Sequence, residues 1–137
     1  MGHEVDQLAY SPDDIIRFPS GIPGFEGARE FVVFTRPEHE PFHWMVSIGG
    51  PKVQFVLINP LQFRPEYDPV IHSSDLRDLD VHDPKELLLY TIVTVNADLK
   101  LSTANMAGPL FVNIRTRIGK QILVDDPRWT TSERILS

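Results

Sequence analysis

The 137 residues carry 13 Lys and Arg against 19 Asp and Glu, a formal net charge of −6, and no cysteine at all. The last fact excludes disulfides and thiolate chemistry. The acidic balance repels phosphate backbones, which sets direct nucleic-acid binding aside unless a local basic patch exists.

Val5 to Tyr10 alternates between two faces and predicts a short strand. Ser11-Pro12-Asp13-Asp14 turns the chain, and Ile15 to Phe18 carries it extended into Phe18-Pro19-Ser20-Gly21-Ile22-Pro23-Gly24-Phe25-Glu26. There Pro19 and Pro23 fix φ while Gly21 and Gly24 permit positive φ, so the backbone is built to turn sharply. Phe18, Ile22 and Phe25 must pack somewhere, which makes the stretch an ordered crossover. Strands are then predicted over Phe31 to Thr35, Phe42 to Ile48 and Val53 to Ile58, each short, β-rich and bounded by turn residues. Pro60, Pro65 and Pro69 forbid a regular helix over the following residues.

Val70-Ile71-His72 reads as a further short strand, and Ser73 or Ser74 as the cap of a helix over Asp75 to Leu79. Leu87 to Val95 is almost continuously apolar, the pattern of the central and most buried strand. Lys100 to Thr103 reads as a weak partner strand, and Pro109 to Ile114 and Gly119 to Val124 as two more. In the tail, Thr131 or Ser132 with Glu133 predicts one turn of helix. The expected fold is mostly β: one small barrel-like domain over 1–137, with about eight short strands and one or two short helices.

No segment reaches the roughly 20 apolar residues that cross a bilayer. The start, MGHEVDQLAY, has neither the basic nor the apolar part of a signal peptide. A soluble cytoplasmic protein without membrane contact is expected.

The chemistry-bearing motifs are weak. His39-Glu40-Pro41-Phe42-His43 matches the H-E-x-x-H zinc pattern, but that chemistry needs both histidines on one helical face. Pro37 and Pro41 forbid the helix, so the match is read as accidental. Asp78, Asp80, His82 and Asp83 lack the glycine and distal glutamate of a calcium loop. Ser73, His72 and Asp75 have triad residue types but no nucleophile elbow. Neither a dinucleotide fingerprint nor a P-loop is present, and no catalytic residue, cofactor or metal is expected. Arg115, Arg117 and Lys120 form the basic cluster, read as a solvated strand face.

Ile15 to Glu26, IIRFPSGIPGFE, and Pro41-Phe42 with Trp44 to Ser47 are the first two of four blocks that, in order, resemble the flagellar assembly factor FliW family, the first its opening signature and the second its Pro-Phe block. Asn59-Pro60 with Phe63-Arg64-Pro65-Glu66-Tyr67, and Thr103 to Asn113, resemble two further blocks, with Gln121 at a glutamine of the last strand. Val46 stands where a glutamine is usual and Gly108 where an alanine is usual. The match weakens in the tail, 125–137.

The resemblance implies a small β-barrel and a non-enzymatic role. Its proteins bind flagellin, and they bind the translational regulator CsrA and antagonise it by partner switching. The partner-binding residues carried forward are Pro19, Gly21, Ile22, Pro23, Gly24 and Phe25 of the Gly/Pro loop, then Phe63, Tyr67, Asn105 and Met106. The alternative is a small-molecule or flavin-binding split barrel, with Arg115 and Arg117 as its phosphate-binding pair.

Overall fold

Seven strands close on themselves in a computed structural model that describes residues 9–136. They are β1 (Ile16–Arg17), β2 (Glu30–Phe34), β3 (Phe42–Ser47), β4 (Gln54–Ile58), β5 (Leu87–Thr94), β7 (Leu110–Asn113) and β8 (Ile118–Gln121). Round the barrel the order is β4-β3-β2-β1-β8-β7-β5, and β5 pairs back onto β4. Every pairing in the ring is antiparallel except β1 with β8, where Arg17 faces Ile118. Two further strands, β6 (Thr103–Ala104) and β9 (Glu133–Arg134), extend outward from β5.

Alternation sends Phe31, Met45, Phe55, Leu57, Leu110 and Val112 inward. Phe18 and Ile22 enter from the Gly/Pro loop and complete this interior. Phe18 meets Phe31 edge to face at 5.5 Å, and Phe55 lies 6.2 Å from Phe31, so aromatic rings fill the lumen. A second cluster forms on the outer side, where Ile58, Val93, Ala104 and Met106 are covered by Tyr67, Trp129 and Ile135. A third places Leu79, beyond the short helix Ser73–Asp78, against Phe111 and Ile122. Asn113 ties that helix down: its buried amide donates to the carbonyls of Leu79 at 2.9 Å and Asp80 at 3.2 Å.

The mostly β barrel matches expectation, with nine strands and one α-helix among the described residues. Several local readings are corrected. The strand over Val5 to Tyr10 lies, up to residue 8, outside the described residues, and Ala9 and Tyr10 are not in a strand. Residues 70–72 pair with no strand, and Ile71 instead packs on the third cluster. The helix starts at Ser73 with His72 as its cap residue, and no side-chain bond caps it. Leu99–Leu101 is a 3-10 turn, leaving only Thr103–Ala104 to pair with β5.

The tail forms β9 rather than a helical turn, because Glu133 and Arg134 pair with Ala104 and Thr103. Nor is β5 the most buried strand. It is the most widely paired, meeting β4, β6 and β7, yet Leu88 is exposed, whereas all four residues of β7 are buried.

Candidate partner-binding surface

The Gly/Pro loop is a chain of three tight turns. Gly21 N donates to Phe18 O at 2.8 Å, Phe25 N to Ile22 O at 2.7 Å, and Ala28 N to Phe25 O at 3.0 Å. In the middle one Pro23 precedes Gly24, whose φ of +88° is what a type II turn demands after proline. Gly21, at φ +71°, is buried with its backbone beside Glu26. A bond from its own backbone N–H, foremost, and one from Gly24 N at 3.1 Å hold the Glu26 carboxyl below the ordinary carboxylate pKa. Arg29 bonds the carbonyls of Pro19 and Glu26. So stiffened, the loop sends Ile22 into the barrel and leaves Pro19, Pro23 and Gly24 exposed. Phe25 is 45% exposed, with its ring edge-on to Phe55 at 5.1 Å.

The other sequence-predicted residues lie elsewhere and mostly face inward. Tyr67 is buried, its hydroxyl donating to Met106 O at 2.7 Å and its ring meeting Trp129 at 4.9 Å. Burial pushes the phenol well above its ordinary pKa. Met106 is fully buried, and Asn105 uses its side-chain oxygen on Ala107 N at 3.1 Å. Phe63 is half-buried under the Arg64 guanidinium. The ten residues therefore form no single face. Pro19, Pro23, Gly24 and Phe25 offer surface, whereas Ile22, Tyr67 and Met106 are packing residues in this structure.

A second apolar surface comes from residues inside the strands. Register places Phe34, Trp44, Val56, Val93 and Ala104 in one row across β2 to β6. Because Met45, Leu57 and Ile92 point inward, this row is on the outer face, where an antiparallel barrel is ordinarily polar. The second cluster covers its Ala104 end. Trp44, Val56 and the little of Val93 left uncovered form the floor of a cleft of about 360 Å³, which Phe42, Val95, Leu99, Glu38 and Glu40 also line.

The loop carrying Val95 and Leu99 is pinned: Ser102 Oγ accepts Asn96 N at 2.9 Å, and the Asp98 carboxylate accepts Lys100 N at 3.1 Å. Trp44 is fixed by its indole N–H donating to His39 Nδ1 at 3.1 Å. Beyond Phe42 and Leu99 a smaller hollow continues to Ile135 and Leu136. The signal that marks this face is apolar character on both alternating sides of β3 and β4.

The H-E-x-x-H residues belong to this region and are not helical. Pro37–His39 is a 3-10 turn and β3 begins at Phe42. His43 turns to Thr35 and to the edge of Tyr90, and burial lowers its pKa. Among the described residues no cluster of His, Asp and Glu is placed to hold a metal ion.

The sequence profile described as FliW protein matches residues 2–135. The chain belongs to the FliW family. It is 36% identical over 131 residues to the flagellar assembly factor FliW of Alkaliphilus metalliredigens, covering 95% of this chain and 81% of that protein. It is 33% identical to the Moorella thermoacetica protein of the same name, covering 93% and 82%. A crystal structure of the flagellar assembly factor FliW superposes with a TM-score of 0.87 at 32% identity, covering 95% of this chain and 91% of that one.

As a FliW chain, this one uses much of its motif for architecture. Gln121 donates to Gly108 O at 2.9 Å, and Asn113 anchors the helix. Val46, where the resemblance has glutamine, is buried between Val32 and Gln54. The cations expected to solvate a strand are instead engaged. Arg115 reaches the Glu86 carboxylate at 2.7 Å and Asp80 O at 2.6 Å. Arg117 donates to Asp14 O at 3.0 Å, and Lys120 bridges Asp75 at 2.8 Å and Asp78 at 2.6 Å. Arg115 and Arg117, the pair the flavin alternative would need, thus each donate to the protein's own oxygens.

Proposed function

We propose that this protein is a non-enzymatic flagellar assembly factor that works in the cytoplasm by binding other polypeptides. In this reading it holds flagellin, and when free of flagellin it binds the translational regulator CsrA and relieves its repression. The observation that carries it is the outward apolar row ending in the Trp44–Val56–Val93 cleft, presented by a FliW-family barrel. A contiguous apolar surface held rigid by paired strands binds another chain with little ordering cost. The absence of cysteine suits a reducing compartment, and no helix among the described residues is long and apolar enough to cross a membrane.

The test is co-purification with flagellin and with CsrA, separately and in competition. Stable complexes with each, and release of CsrA as flagellin is titrated in, are expected. Binding to neither, with turnover of a metabolite, overturns the reading.

A further inference from the structure

The floor of the outer cleft restricts what can lie on it. Trp44, Val56 and Val93 are consecutive across β3, β4 and β5, and each of these strands is hydrogen-bonded on both sides. An incoming strand would find no unpaired edge to extend. A segment that seats on this face must arrive with its own backbone bonds satisfied, as an α-helix does. Such a helix meets the floor through a stripe of apolar side chains, with Val95 and Leu99 also lining the cleft as its wall.

Charge narrows the choice further. The charged residues that line the cleft are Glu38 and Glu40, with no Lys or Arg among its lining residues, on a chain of net charge −6. Lys or Arg beside the stripe would be attracted there, and Glu or Asp repelled. We infer that this cleft docks an amphipathic helix of a partner protein, one whose apolar stripe is flanked by Lys or Arg. The inference rests on reading the protein as a partner-binding assembly factor.

Val95 and Leu99 are 54% and 58% exposed, so Val95→Glu with Leu99→Glu charges the wall without touching the core. Against purified full-length flagellin and CsrA, the double variant is expected to bind at least one of them about tenfold more weakly. Its Tm should equal that of the wild type. Leu123→Glu, at a position 79% exposed and outside the cleft, should change nothing. Glu38→Lys with Glu40→Lys should weaken the same partner and flatten the salt dependence of its binding.

If the double variant loses its melting transition, Leu99→Ser carries the same comparison. Both partners binding the wall variant within about twofold of wild type overturns the inference. A wild type that binds neither protein counts against the functional reading. The cleft is then judged with a labelled Leu/Ala helical peptide of about five turns, its stripe flanked by Lys. Saturable binding lost with Leu99→Glu supports the inference, and no binding overturns it.

Discussion

At Gly119 the inner surface of β8 leaves room only for hydrogen. A Cβ there would lie 2.6 Å from Phe18 Cζ and within 3 Å of two more atoms of that ring, which is fully buried. Gly119→Ala is therefore expected to destabilise by about 1–3 kcal/mol, read as a lower urea midpoint. Phe18→Leu in the same chain should recover part of it. Tyr67 offers a second test, because removing its hydroxyl leaves the buried Met106 carbonyl without its donor. Tyr67→Phe is expected to cost about 1–3 kcal/mol while leaving partner affinity unchanged, as fits a packing residue. Phe25, partly exposed over Phe55, is the contrasting case. Phe25→Ala is expected to weaken partner binding with little change in Tm, and a large fall in Tm with full affinity would make it core.

Among the elements, the short helix is held to the barrel by Lys120 reaching Asp75 and Asp78. Hydrogen bonding and attraction raise the Lys120 pKa, with the Asp75 bond foremost, and its bond with Lys120 lowers that of Asp78. A raised lysine contributes stability that is complete below its ordinary value near 10.5 and fades as pH climbs through the folded one. A depressed aspartate contributes above its ordinary value near 3.8 and loses that contribution as pH falls through the folded one. Lys120→Met should thus lower Tm by about 2–5 °C near neutral pH, with the gap to wild type closing in strong acid and in strong base.

It is also at this scale that the limits of reading the sequence are clearest. β2, β3, β4 and β7 were legible because their apolar and aromatic runs end at turn residues. In the tail the expected cap at Thr131 or Ser132 does not form; Thr130 Oγ1 donates to Glu133 Oε2 at 3.0 Å instead and closes a turn that leads into a strand. The burial of β5 is less than its continuous apolar run suggests, because Leu88, on the lumen-facing side with Tyr90 and Ile92, is exposed although those two pack on the core. The candidate surface was least legible. Tyr67 and Met106 sit in proline- and turn-rich segments that look like surface, yet they fold inward. Trp44, Val56 and Val93 come from three separate strands, and only pairing register brings them into one row.

For the whole molecule, a charge of −6 predicts that encounter with a basic partner slows as salt rises, while dissociation from an apolar cleft changes much less. Stopped-flow association across an ionic-strength series checks this, and a rate indifferent to salt would remove electrostatics from the mechanism. The lumen has a longer consequence. Phe18, Phe31 and Phe55 occupy it together with Met45, Leu57, Leu110 and Val112, so on the proposed function partners are expected to be recognised from outside. Inward and outward side chains alternate along the same strands, so the two sets can vary separately. A chimera keeping these inward residues and borrowing the outward ones of a relative should fold as this chain does and choose partners as the donor does.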